Sequence, residues 1–228
     1  SKTIIKKSVL YEDEFMLVLN KPYGIPVQGG SKVNFSIDDA LSYLCSDIEN
    51  LRLTHRIDKN TTGILIIAKS KETAKNITKL FKEDKVKKTY WTLVIGRPKN
   101  LVGSIKASIS KVNLNGIEKM KIIENNKKKA ITYYNTLESK EGLSLIEVFP
   151  KTGRTHQIRV HLLSKNCPIL GDEKYKLLKI KESKFYKSKY KMHLHAKSIS
   201  FKLHNNIYSF EAELPSHFIK TLNENKFE

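Results

Sequence analysis

Arg52-Leu-Thr-His-Arg-Ile-Asp-Lys-Asn-Thr-Thr-Gly-Ile-Leu-Ile-Ile-Ala68 is the stretch that decides how this chain folds. Its last five residues are an unbroken apolar run, short and β-branched, which predicts a strand buried on both faces. The preceding Lys59-Asn-Thr-Thr-Gly63 is turn chemistry, so Asp58 stands in a tight turn that feeds a buried strand. Taken alone Asp58 has two readings. It is a turn-former bonding its own backbone, or a carboxylate kept for chemistry; His55 likewise reads first as structural. A second stretch, Thr152-Gly-Arg-Thr-His-Gln-Ile-Arg-Val-His161, places a turn ahead of a rigid element that carries Arg154 and Arg159. Only five of the 42 basic residues are arginine, and four of them lie in these two stretches. In a chain that otherwise uses lysine, such arginines point to a need for a planar, permanently charged fork. A carboxylate in a buried turn needs such a partner to stay ionised.

Outward from Asp58, residues 8–19 read as two short strands around an acidic turn, and Lys21-Pro-Tyr-Gly-Ile-Pro-Val-Gln-Gly-Gly30 as a loop. Residues 36–45 carry a helical apolar face (Ile37, Ala40, Leu41, Leu44). Ser70 predicts a cap for a helix with Ala74, Ile77, Leu80 and Phe81 on its stripe. Lys88–Ile95 reads as a strand stopped by Gly96-Arg97-Pro98, which puts Tyr90 near its start. Residues 103–150 alternate polar and apolar in runs joined by basic turns such as Asn125–Lys129, a pattern of antiparallel hairpins. A helix begins at Gln157, and a closing hairpin turns at Asn205-Asn206. Neither an internal repeat nor a linker interrupts the chain. The expectation is one α+β domain over residues 1–228, a mixed, mostly antiparallel sheet flanked by helices.

The composition narrows the function. With 228 residues and 39% hydrophobic content the chain can bury a core. It lacks an apolar run of the roughly 20 residues that span a bilayer, and its first residues do not form a secretory signal. Two cysteines, Cys45 and Cys167, suit a reducing cytoplasm. The net charge of +19 favours a polyanion, most simply nucleic acid; the competing reading is compositional bias with solvated lysines. Lys174–Lys191 mixes eight lysines with Tyr175, Phe185, Tyr186 and Tyr190. It reads equally as an RNA-binding surface or as a solvated insertion whose aromatics face the core. His193-Leu-His195 lacks cysteine or acidic residues at zinc-like spacing, so no metal is expected.

His55-Arg-Ile-Asp-Lys-Asn-Thr-Thr-Gly63 resembles the His-Arg-Leu-Asp-x-x-Thr-Ser-Gly signature of RluA/RluC/RluD-type RNA pseudouridine synthases. Five further segments follow the same family in order: Asn20-Lys-Pro-Tyr-Gly-Ile-Pro-Val27, Lys88-Thr-Tyr90, Thr152–His161, Leu170-Gly-Asp-Glu-Lys-Tyr175 and Leu194-His-Ala196. Ile57 and Thr62 are mild departures, and His204-Asn205 stands where many members have His-Pro. The resemblance implies a synthase-type domain with a central catalytic cleft. It implies Asp58 as the nucleophile, attacking either the ribose anomeric carbon or the uracil ring. Arg159 would pair with Asp58, Tyr90 would stack on the target base and serve as base in a late proton transfer, and Arg56 would hold the base out of the helix or fill its space. Arg154, His156 and Gln157 would contact RNA phosphate or order the loop. That chemistry requires no cofactor.

The implied partner is RNA. The Val27-Gln-Gly-Gly30 extension is most similar to the RluC-type branch, which modifies large-subunit ribosomal RNA, with transfer RNA as the alternative. A monomeric, cytoplasmic enzyme without an obligate protein partner is expected. Many members carry an N-terminal S4 RNA-binding domain that nothing here matches; either this member lacks one or the chain is a catalytic fragment. Two other classes stand beside this reading: a non-catalytic RNA-binding or ribosome-assembly protein, and a glycoside hydrolase using Asp58 and Glu147. If phosphate contacts dominate, RNA affinity falls steeply as salt rises. Binding isotherms at several ionic strengths check this, and a flat response assigns the charge to compositional bias.

Overall fold

The computed structural model describes residues 2–45, 50–124, 129–180 and 183–228. Its elements run α1 (Lys2–Lys7), β1 (Val9–Glu12), β2 (Met16–Lys21), α2 (Ile37–Leu44), β3 (Arg52–Leu53), β4 (Thr62–Ala68), α3 (Lys71–Lys82), β5 (Lys87–Ile95) and β6 (Val102–Leu114). They continue with β7 (Ile117–Ile122), β8 (Lys129–Lys140), β9 (Leu143–Pro150), α4 (Gln157–Ser164), α5 (Lys184–Lys187), β10 (Leu194–Leu203), β11 (Asn206–Glu211) and α6 (Ser216–Glu224). The contacts gather the chain into two compact units, Ser1–Lys88 with His195–Pro215, and Thr89–Leu194 with Ser216–Glu228.

In the first unit β1, β2, β4 and β10 lie in that order, β3 pairs with β4, and β11 pairs with β10. All seven residues of β4 are buried, as its apolar run requires. Leu65 and Ile67 join Leu17, Leu19, Ile37, Leu41 and Ile57 in one core. Most pairs are antiparallel; β4 and β10 are parallel, with His195 opposite Thr62 and Ala196 opposite Gly63. Ser36 caps α2 in a reciprocal box with Asp39, and Ser70 caps α3 by accepting the Thr73 N–H. The acidic turn before β2 is closed by Asp13, whose Oδ1 accepts the N–H groups of Phe15 and Met16.

The second unit orders its strands β5, β9, β8, β6, β7, all antiparallel. The hairpins expected over 103–150 are present and longer than the alternation suggested. Helix α4 packs against β6, β7, β8 and β9. Four residues of the basic turn at Asn125–Lys129 lie outside the described residues; Lys129 opens β8. The sequence reading left α1 and α6 unannounced. Lys2–Lys7 is one short turn and a half with a single buried side chain, Ile5, too little for an apolar stripe. Helix α6 does bury Phe218 and Thr221 and starts right after Pro215.

Gly63 is required where it stands. Its φ is +109°, and a Cβ there would collide with the Ala196 backbone on the paired strand. Gly63→Ala is expected to destabilise the fold by on the order of 3 kcal/mol or more, read from the urea midpoint of the purified variant.

Candidate active site

The loop that carries Asp58 leaves β3 and runs alongside β4 without pairing to it as a strand. Two side chains replace the missing ladder. Thr54 Oγ1 donates to the Ile66 carbonyl at 2.8 Å, and His55 Nε2 accepts the Ile66 N–H at 2.9 Å. The neutral His55 ring therefore carries its proton on Nδ1, and it stacks on Phe81 at 4.4 Å. Burial, with Lys88 adding to it, pushes its pKa down to about 3, so it stays a neutral acceptor. Beyond Ile57, which is buried in the core, Asp58 opens a turn closed by the Thr61 N–H to its carbonyl at 3.0 Å. Asp58 is half-buried and Arg56 is exposed on the same loop.

The second brace is Lys21, to which the sequence reading assigned no role. It is completely buried, and its Nζ donates to three carbonyls: Pro22 at 3.0 Å, Ile25 at 2.8 Å and Lys59 at 3.0 Å. The Lys59 carbonyl also accepts the Gly24 N–H. One ammonium thus ties the Lys-Pro-Tyr-Gly loop to the turn after Asp58. Burial pushes the Lys21 pKa down to about 7, opposed by the nearby Asp58 carboxylate. The signal was visible as Lys-Pro in the Asn20–Val27 segment, but nothing in a sequence says that a lysine will be buried.

In the second unit, Arg154, His156, Gln157 and Arg159 share the turn before α4 and its first residues. Gln157 is buried and uses all its polar capacity. Its Oε1 accepts from Thr152 Oγ1 at 2.7 Å and Arg154 N–H at 3.1 Å; its Nε2 donates to the Ile131 carbonyl and Thr132 Oγ1. It therefore orders the loop, the second of the two roles expected of it. Arg154 is exposed beside it. His156 stands at the N-cap position of α4 in the left-handed region, φ +55°, without a capping side-chain bond, and its Nδ1 lies 2.7 Å from Tyr175 Oη.

Arg159 is buried and has a carboxylate that the sequence reading did not assign. Asp172 Oδ2 receives Nε at 2.7 Å and Oδ1 receives Nη2 at 2.9 Å, a bidentate pair of the strong kind. Asp172 Oδ1 also accepts the Lys174 and Tyr175 N–H groups, and the Tyr175 ring lies 4.9 Å beneath the guanidinium. So Gly171-Asp-Glu-Lys-Tyr175 is the seat of Arg159. Gly171, φ +82°, lets that seat approach the Lys191–Met192 backbone, where a Cβ would collide. Tyr90 lies half-buried on β5, opposite Val148. Glu147, the second carboxylate of the glycosidase reading, faces Trp91 across β5 and β9 and accepts its indole N–H at 3.4 Å.

Several of the remaining features make structural contacts. Of the aromatics in Lys174–Lys191, Tyr175 and Phe185 are buried, and Tyr186 Oη accepts the Leu177 N–H; Lys181 lies outside the described residues. His195 bonds Thr62 Oγ1 and the Ala212 carbonyl within its unit. His193 bonds the Lys191 carbonyl and Thr221 Oγ1 within the other.

A profile of the family described as RNA pseudouridylate synthase matches residues 15–164. The ribosomal large subunit pseudouridine synthase C of Rickettsia bellii is 42% identical over 96% of this chain and 72% of its own length. The protein of that name from Buchnera aphidicola (subspecies Baizongia pistaciae) is 38% identical over 87% of this chain and 63% of its own. Among solved structures, human RNA pseudouridylate synthase domain containing 4 superposes with a TM-score of 0.82 at 30% identity, covering all of this chain and 96% of that one. The chain belongs to the RNA pseudouridylate synthase family, on its RluC-type branch.

Free imidazole in the unfolded chain takes up its proton near pH 6.5, whereas folded His55 resists until about 3. The unfolded state binds more protons across that interval, so stability falls as the pH is lowered from about 6.5 toward 3. His55→Gln keeps an acceptor for the Ile66 N–H and removes the titration. Its urea midpoint is expected to depend less on pH between about 6.5 and 4 than that of the wild type.

Proposed function

We propose that this chain isomerises specific uridines in large-subunit ribosomal RNA to pseudouridine, acting as a monomer in the cytoplasm, with Asp58 as the nucleophile. The observation that carries the reading is the Asp58 turn itself. It lies in the family signature, and Thr54, His55 and Lys21 brace it on both sides. A nucleophile gains most from being held in one geometry before the substrate arrives.

The target uridine leaves the stack at a cost of a few kcal/mol. Tyr90 offers it an aromatic platform, and Arg56, exposed on the Asp58 loop, contacts the base or takes its place. The bond from N1 to C1′ breaks with Asp58 as covalent catalyst, at the sugar or on the ring. The uracil turns, C5 bonds to C1′, and the C5 proton is released with Tyr90 as base. Arg159 serves as the counter-charge of Asp58 and is itself fixed by Asp172. Arg154 and His156 contact RNA, and Gln157 holds their loop. The ribosomal substrate is supported by the activity for which the relatives above are named and by the net charge of +19.

Tritium release from C5-labelled large-subunit ribosomal RNA tests the reading. The wild type is expected to release label, and Asp58→Asn to fall by at least about 10³-fold, since it removes the nucleophile. Normal release from Asp58→Asn would remove Asp58 from the mechanism, and no release from the wild type would leave an RNA-binding or assembly role. Release only from transfer RNA would move the substrate while keeping the chemistry.

A further inference from the structure

The β6–β7 hairpin changes character along one face. Ile109 on β6 and Ile122 on β7 are directly paired, and with Met120 they pack with Val160 and Tyr175. Two residues further toward the tip the same face carries Lys111 opposite Met120, and two beyond that Asn113 opposite Glu118. A cavity of about 210 Å³ opens there, lined by Met120 from the apolar cluster and by Lys111, Glu118, Lys119, Thr155, His156 and Lys174.

The charges of the lining are unbalanced, with three ammonium groups against one carboxylate. Glu118 is already engaged by Lys111 at 2.6 Å. Lys119 Nζ donates to the Lys174 carbonyl at 3.2 Å, so its charge is held at the rim. The Lys174 N–H is bound by Asp172, which fixes this rim to the seat of Arg159. His156 enters the lining with a left-handed backbone that a non-glycine residue adopts at a cost and that recurs at functional sites. Excess cation repels a metal ion and suits an anion with several acceptor oxygens.

We propose that this pocket binds a backbone phosphate of the RNA substrate, with Lys119 and Lys174 as its principal cations. The inference rests on the RNA-modifying reading and adds a contact to it: a phosphodiester held beside the Arg154–Arg159 segment sets where the strand lies relative to that segment. Glu118 limits the affinity, because its carboxylate faces the same space.

The test uses the full chain and an unmodified large-subunit ribosomal RNA transcript, with dissociation constants taken across a salt series. Counterion release gives a log–log slope of about 0.7 to 0.9 per neutralised phosphate. Lys119→Gln with Lys174→Gln is expected to weaken binding about 6-fold near ~0.1 M salt and to lower the slope by about 0.8. The matching pair of arginine substitutions keeps the wild-type slope, and Glu118→Gln tightens binding several-fold. Lys71→Gln with Lys75→Gln, on α3, is the charge-matched control. An equal loss from that control, or weaker binding by Glu118→Gln, overturns the pocket while tritium release by the wild type leaves the synthase reading standing. A wild type that neither binds the transcript nor releases label overturns the synthase reading, and the pocket with it.

Discussion

Both backbone groups of Ile66 are spoken for by side chains, and the position of Asp58 depends on that fact. A strand beside β4 would have satisfied the Ile66 N–H and carbonyl, but β3 stops at Leu53. Thr54 and His55 supply the donor and the acceptor instead. Leaving either group of Ile66 unpaired beside a buried strand would cost about 1–3 kcal/mol, so the fold has reason to keep the loop in place. The chain gains an irregular segment that is as firmly held as a strand, yet free of a strand's alternation. Asp58 can then leave the sheet at an angle that regular pairing would not allow.

The second unit achieves the same result with a different device. Gln157 is fastened at all four polar positions. Thr132, one of its partners, also bonds His161 at 2.7 Å. Such networks are costly when incomplete and rigid when complete. Around Arg159 the equivalent service comes from a carboxylate, two backbone N–H groups and an aromatic ring. A buried guanidinium without that seat would be strongly unfavourable.

Much of the fold was legible because it is written in local patterns. The apolar run of β4, the apolar faces of α2 and α3 and the Ser70 cap all follow from periodicity and capping. In the candidate site, Asp58, Tyr90 and Arg159 are named through the resemblance to the family, since Asp58 alone also reads as a turn-former. What could not be read was long-range. Lys21 looks like any of its many neighbours until three carbonyls converge on it. Asp172 looks like a turn residue until Arg159 is seen to lie on it. Helix α1 has too few residues for a period to show, and the two compact units arise from chain segments that are not contiguous.

That discontinuity shapes how the protein comes into being. The parallel partner of β4 is β10, some 130 residues downstream in the chain, and the whole of Thr89–Leu194 is made in between. On a translating ribosome the sheet under Asp58 must wait, its parallel edge open, until the His195–Pro215 segment has emerged. Such distant pairing is slow and leaves an unpaired edge exposed in the meantime. The first half of the polypeptide therefore reaches its working form only near the end of synthesis.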